Sequence, residues 1–142
     1  MKIAVLDGQG AGLGQSIIKK IRQELPQNTS IIAIGTNTFA TSKMVRAGAN
    51  IGISGEQGFC AFCHRESIDG IIAPIGMIQP GSIHGEVTRR IAHTFSDLTC
   101  QKYLLPMHHK QVMIPCTGKI PIKELIQAVI EDLKQKSRES PC

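Results

Sequence analysis

An apolar run from Lys2 to Asp7, closed by glycine, opens the chain and predicts a buried first strand. Behind it Leu13, Ile17, Ile21 and Leu25 recur every four residues, the spacing of one helix face. A helix therefore begins inside the glycine loop Gly8–Gly14, and Pro26 and Asn28 end it. Ser30 to Gly35 is a second strand. Asn37 is placed to cap a short helix running to about Ala47, which Gly48 stops. Ala49 to Ile53 predicts a third, less apolar strand, and Ser54 with Gln57 suggests a capping box for a helix over Gly55 to Arg65. Asp69 to Pro74 is a fourth strand. After the turn Gln79-Pro80-Gly81, Ser82 can cap a helix with Ile83, Val87, Ile91 and Phe95 on one face. Gln101 to Pro106 and Gln111 to Pro115 predict the last strands. Pro121 suits the first turn of a final helix with Ile122, Leu125, Ile126, Val129 and Leu133 as its inner stripe. Residues 137–142 are expected to fray as a tail.

Strands that alternate with helices predict an α/β fold: a single-domain, doubly wound, mostly parallel sheet, Rossmann-like, over residues 1–136. Such sheets bind ligands beyond the carboxyl ends of their strands, near the switch in strand order. That rule selects the loops Gly8–Gly14, Thr36–Thr38, Pro74–Glu86 and Met107–Lys110. The 142 residues, 42% hydrophobic and 19% charged, suffice for one core and exclude a disordered chain.

The first loop reads Asp7-Gly8-Gln9-Gly10-Ala11-Gly12-Leu13-Gly14. It does not fit Gly-x-Gly-x-x-Gly, since Leu13 stands where the third glycine belongs. It fits Gly-x-x-x-Gly-x-Gly through Gly8, Gly12 and Gly14, a spacing that resembles the loop of short-chain dehydrogenases. Glycines here allow a tight turn, often at positive φ, and a close approach of backbone to ligand. Free amides at the helix start then face an anion. The expected partner is thus a small phosphate-bearing ligand, a nucleotide or dinucleotide. The expected contact residues are Gly8, Gln9, Gly10, Gly12, Leu13, Gly14, Thr36, Asn37, Pro74 and Gly76. The alternative is that the glycines only make a tight turn.

An NAD site expects Asp or Glu near the end of the second strand to hold the ribose. Gly35-Thr36-Asn37 stands there instead, so NADP is expected over NAD, with Thr36, Asn37, Ser42 and Lys43 able to meet a 2′-phosphate. For Asn37 and Lys43 the plainer reading is a helix cap and a solvated lysine. Tyr-x-x-x-Lys is lacking, because the single tyrosine, Tyr103, is followed by Met107; no catalytic set can be assigned. Gly-x-Ser-x-Gly and Gly-Lys-Ser/Thr are absent as well.

A net charge of +5 comes from scattered lysines and arginines, and aromatics are few, so neither a nucleic acid nor a membrane is an expected partner. A homodimer is possible. The short N-terminal apolar run cannot serve as an export signal, which predicts a cytoplasmic protein with five reduced cysteines. Cys60-Ala61-Phe62-Cys63-His64 spells the haem c attachment pattern, but a core-facing role for Cys60 and Cys63 explains it at least as well, and no metal site is expected. His84, Glu86, His108 and His109 lie at the presumed ligand edge as acid–base candidates, or simply as solvated loop side chains.

Several runs taken together resemble a small stand-alone bacterial family of unknown function: Asp7-Gly8-Gln9-Gly10, Gly35-Thr36-Asn37, Ala40-Thr41-Ser42, Ala47-Gly48-Ala49-Asn50, Gly55-Glu56, Pro74-Ile75-Gly76 and Gly85-Glu86. The resemblance implies a Rossmann-like fold and a cytoplasmic bacterial protein, and supplies no catalytic residues. A nucleotide-binding protein, as a small oxidoreductase or a ligand sensor, is the leading expectation. A binding or scaffold module without a nucleotide is the alternative.

Overall fold

A computed structural model describes residues 1–107 and 111–139. The apolar runs become the middle of a sheet: β1 (Lys2–Asp7), β2 (Ser30–Gly35) and β4 (Gly70–Pro74), with β3 (Ile51–Ser54) and β5 (Gln101–Leu105) at the edges. The strand order is β3-β2-β1-β4-β5 and every pair is parallel. The chain builds outward from β1 to β3, then crosses back to β4 beside β1, so the switch point lies between β1 and β4. Pairing runs from Lys2↔Ser30 to Asp7↔Gly35, which brings the ends of β1 and β2 to one edge.

Side chains alternate across the strands and feed two cores. Ile3, Val5, Ile31 and Ala33 pack with Ile17, Ile18 and Ile21 of α1 (Gly12–Glu24), Ala40 and Met44 of α2 (Thr38–Ala47), and Ile126, Ile130 and Leu133 of α5 (Ile122–Glu139). Ala4, Leu6, Ile32 and Ile34 pack on the other face with Phe59 and Phe62 of α3 (Gly55–Arg65) and Ile91, Ala92 and Phe95 of α4 (Arg89–Asp97). The result is a three-layer, doubly wound α/β fold. Lys134 of α5 meets Glu24 of α1 at 2.7 Å and closes the first face. No helix among the described residues is long and apolar enough to cross a membrane.

Four local expectations change. The helix expected from Ser82 starts only at Arg89, where the Thr88 hydroxyl accepts the Ile91 amide at 3.1 Å. Ile83 and His84 lie at φ 55° and 50°, between Gly81 at 89° and Gly85 at 84°, and left-handed residues cannot continue a right-handed helix. Val87 is still buried and Ile83 still packs on that core. Gln111 to Pro115 is turn and irregular chain with a single bridge residue at Val112, so the sheet has five parallel strands among the described residues rather than the mostly parallel six expected. Ser54 precedes α3 without capping it; its hydroxyl donates to Thr41 Oγ1 at 2.8 Å and ties β3 to α2. α5 continues past Lys136, where the frayed tail was expected to begin.

Candidate functional site

β1 delivers Asp7 to the carboxyl edge, where it is 7% exposed. Its Oδ1 accepts the Gly8 amide and its Oδ2 the Gly14 amide, both at 2.8 Å, so one carboxylate fixes both ends of the glycine loop. Burial pushes the Asp7 carboxyl above its ordinary value; the two amides oppose this and the charge of Glu86 adds to it. Sequence patterns read Asp7 as the end of a strand and missed this role. A buried aspartate directly before a glycine loop was the available signal.

The glycines divide by function. A Cβ on Gly14 would stand 2.5 Å from Met44 Sδ and 3.2 Å from Asp7 Cβ, so Gly14 lets α1 pack on α2 and β1. A Cβ on Gly8 would stand 2.7 Å from Thr36 Oγ1 and 3.2 Å from Glu86 Oε1. Gly12 meets nothing within 4 Å and faces open space. The positive φ expected of the glycine turn is carried by Gln9 at 48° and Ala11 at 55° rather than by its glycines. Ala11 is the residue before α1 and offers no side-chain cap, unlike Asn37 before α2 and Thr88 before α4. Asp7 takes the Gly14 amide, and among the described residues the Gly12 and Leu13 amides have no hydrogen-bond partner.

Those two residues line a cleft of ≈ 470 Å³. Its other walls include Ser16, Met107, Val112, Met113 and Ile114. None of its described lining residues carries a charge or a titratable side chain. Met113 is 83% exposed and Val112 53%, so the rim presents apolar surface to water. The segment Gln111 to Pro115 was expected as a strand and the place of Val112, Met113 and Ile114 on the cleft wall was missed, because its apolar residues match a strand pattern equally well.

The loops beyond β1, β2 and β4 meet at Glu86. Its Oε1 accepts from the Gln9 amide at 3.0 Å, Thr36 Oγ1 at 2.5 Å and Asn37 Nδ2 at 2.8 Å. Partial burial pushes this carboxyl up, but the hydrogen bonds from Thr36, Gln9 and Asn37, with the charge of His84, together hold it below its ordinary value. Asn37 also caps α2, accepting the Ala40 amide at 2.7 Å. The NADP preference therefore loses its premise: a carboxylate does stand at the end of β2, supplied from the far side of the switch point. Thr36 and Asn37, expected to meet a 2′-phosphate, are bonded to it. The Lys43 ammonium rests 5.1 Å from the centroid of the Phe39 ring.

Pro74 ends β4 and leads into a 3-10 turn at Ile75–Ile78, and Gly76 lies under the next segment, where a Cβ would touch Ser82 Cβ at 3.3 Å. Neither lines the cleft. His84 is exposed beside Glu86; His108 and His109 lie outside the described residues.

Cys60 is buried with its Sγ 3.2 Å from Thr94 Oγ1. Burial pushes the Cys63 thiol up to about 11, with Cys60 and Cys100 adding to the shift. A thiol so raised is almost wholly protonated at neutral pH and a poor nucleophile. In native protein at pH 8, iodoacetamide is expected to modify the exposed Cys116 at least about tenfold faster than Cys63. Peptide mapping by mass spectrometry measures the two rates; equal rates would contradict a packing role for Cys63.

Order β3-β2-β1-β4-β5, with a glycine loop at the switch point, places the chain in the Rossmann-like class of α/β sheets. The chain belongs to the family described as domain of unknown function DUF3842, whose model matches residues 2–138. No curated protein matches it in sequence. Among solved structures it is similar to a dodecameric FMN-dependent Ubix-like decarboxylase from Escherichia coli O157:H7. The TM-score is 0.56 at 16% identity, over 96% of this chain and 95% of that one, a likeness of fold.

Proposed function

We propose that this protein binds a mononucleotide, with the phosphate on the first turn of α1 and a flat, largely apolar ring in the adjoining cleft. The observation that carries the reading is the pair of unpartnered amides, Gly12 and Leu13, at the head of a 13-residue helix and on the wall of that cleft. Unpaired amides at a helix N-terminus attract anions through their dipoles. A volume of ≈ 470 Å³ is within the usual range for small-ligand pockets. The uncharged lining suits one phosphate and an apolar ring better than a polyphosphate.

Flavin mononucleotide fits that description, and the decarboxylase of like fold is described as FMN-dependent. Gly12 and Leu13 would hold its phosphate, and the apolar walls its ring. A bound flavin would supply electron-transfer chemistry, for which the cleft needs no titratable residue of its own. An oxidoreductase and a ligand sensor are both compatible with such a site.

A second reading, a module that uses this face for protein contact, is favoured by the exposed Met107, Val112 and Met113 on the cleft rim. A thermal-shift screen with FMN, NAD, NADP, ATP, GTP and S-adenosylmethionine separates the two. A true ligand at 100 times its dissociation constant adds about 2.7 kcal/mol, a rise of about 5–11 °C for a domain of this size. FMN is expected to give the largest rise. No shift with any nucleotide, together with a dimer in light scattering, would favour the protein-contact reading.

A further inference from the structure

We propose that the face around the mouth of the cleft docks on an anionic phospholipid membrane, independently of the amides on α1. Among the described residues nine large apolar side chains are exposed, and five of them, Met107, Val112, Met113, Ile120 and Ile122, line this one cleft. Exposed apolar side chains scattered singly are ordinary, whereas a contiguous patch marks a place of contact. The patch is built by the chain between β5 and α5. From Leu98 to Lys123 the sequence holds four lysines and no Asp or Glu. Lys119 stands between the lining residues Gly118 and Ile120, and Lys123 follows Ile122. Both are exposed, and neither has an ion-pair partner among the described residues. Glu124, in the first turn of α5, is the first acid beyond them.

Charge and composition select the occupant. Apolar side chains flanked by unpaired lysines match a surface that is negative at its headgroups and apolar just beneath them. Lysine stems lie along apolar surface while their ammonium groups reach the lipid phosphates. A second copy meeting this face with its own would set the same lysine-bearing segments against each other, and juxtaposed like charges oppose binding. Protein partners are gripped mainly through Trp, Tyr and Arg, and lysine is depleted where they bind. The described lining of this cleft holds no aromatic residue and no arginine. Along the sequence the basic residues are scattered and give no sign of a membrane partner. The fold sets two of them beside the largest gathering of exposed apolar side chains among the described residues. A net charge of +5 draws every face weakly towards anions, and the apolar patch singles out this one.

The test is co-sedimentation with vesicles of phosphatidylcholine alone and of phosphatidylcholine with about a quarter phosphatidylserine. At low salt the protein is expected to bind the mixed vesicles at least about tenfold more tightly than phosphatidylcholine, and to release them at about 0.5 M salt. A lysine at a membrane surface contributes about fivefold, so Lys119→Gln with Lys123→Gln should weaken binding to mixed vesicles about 25-fold. Met113→Ser removes apolar contact and should weaken it about tenfold while leaving the salt dependence as it is. Arg65→Gln with Arg138→Gln takes the same charge from α3 and from the far end of α5, and should weaken binding by less than about threefold. All five side chains are exposed, so the circular dichroism of each variant should match the wild type. Failure to bind mixed vesicles, equal binding to both kinds, or a control variant as weak as the lysine variant overturns the proposal. A dimer that Met113→Ser breaks, without vesicle binding, overturns it too and gives the face to a second copy. The lysine variants leave Gly12 and Leu13 untouched, so these outcomes are separate from the fate of the mononucleotide reading.

Discussion

Gly35→Ala is expected to destabilise the protein by about 3 kcal/mol or more, the upper end of what overpacking costs. Gly35 is buried at the end of β2, and a Cβ there would stand 2.6 Å from the Thr41 amide nitrogen and 2.7 Å from the Asn37 carbonyl oxygen. Both are backbone atoms, and they form the first hydrogen bond of α2 with each other at 3.2 Å. A flexible side chain could step aside; this turn can move only by lifting the head of α2 from β2. Domains of this kind are stable by about 5–15 kcal/mol, so the loss is a large fraction of the total. The melting temperature should fall by about 6–12 °C. Gly10→Ala is the control, since its Cβ would meet only Phe39 Cε1 at 3.9 Å, and it should change stability by no more than about 0.5 kcal/mol. Urea unfolding of the two variants measures the difference. A loss below about 1 kcal/mol at Gly35 would show that α2 is not seated by this contact.

Gly12→Val is expected to leave the fold intact and remove nucleotide binding, lowering affinity by about 100-fold or more, the scale of losing two charge-assisted hydrogen bonds. The side chain would grow into the cleft that Gly12 lines, over the two unpartnered amides. Nothing within 4 Å resists the added Cβ, and Gly12 does not lie at positive φ. The change in stability should therefore stay within about 1 kcal/mol, since glycine is itself a poor helix former. Circular dichroism reports the fold, and titration with the nucleotide found by the thermal-shift screen reports binding. A folded variant that binds with unchanged affinity would falsify the placement of the phosphate on α1.

Glu86 and Gly12 represent two ways of finding a site. Gly12 was reachable from sequence, because a strand, a glycine loop and a helix follow one another within a short stretch of chain. Glu86 was visible only as a loop acid beside His84. Its meeting with Thr36 and Asn37, some fifty residues away, depends on the crossing from β3 back to β4. The same crossing supplies, beside the end of β2, the carboxylate that the chain lacks there in sequence. A pattern along the chain cannot register an acid delivered from another strand.

By itself the sequence determined the layers and the loop. After Ser30, strands two and four are apolar because both faces are covered, and α1 and α5 show their inner stripes because each has one wet face. Such periodicities are local properties of the chain, and local sequence records them. Asn37 as the cap of α2 was legible for the same reason, since the cap and its amide are three residues apart. The tertiary structure alone decided the rest. It set the start of α4 at Arg89, since Ile83 and His84 are left-handed against a helical pattern. It turned Val112, Met113 and Ile114 from an apparent strand into a wall of the cleft, which they share with residues of α1 and α5. It also divided the glycines, since what a Cβ would strike at Gly14, Gly35 or Gly12 depends on the neighbour across the gap.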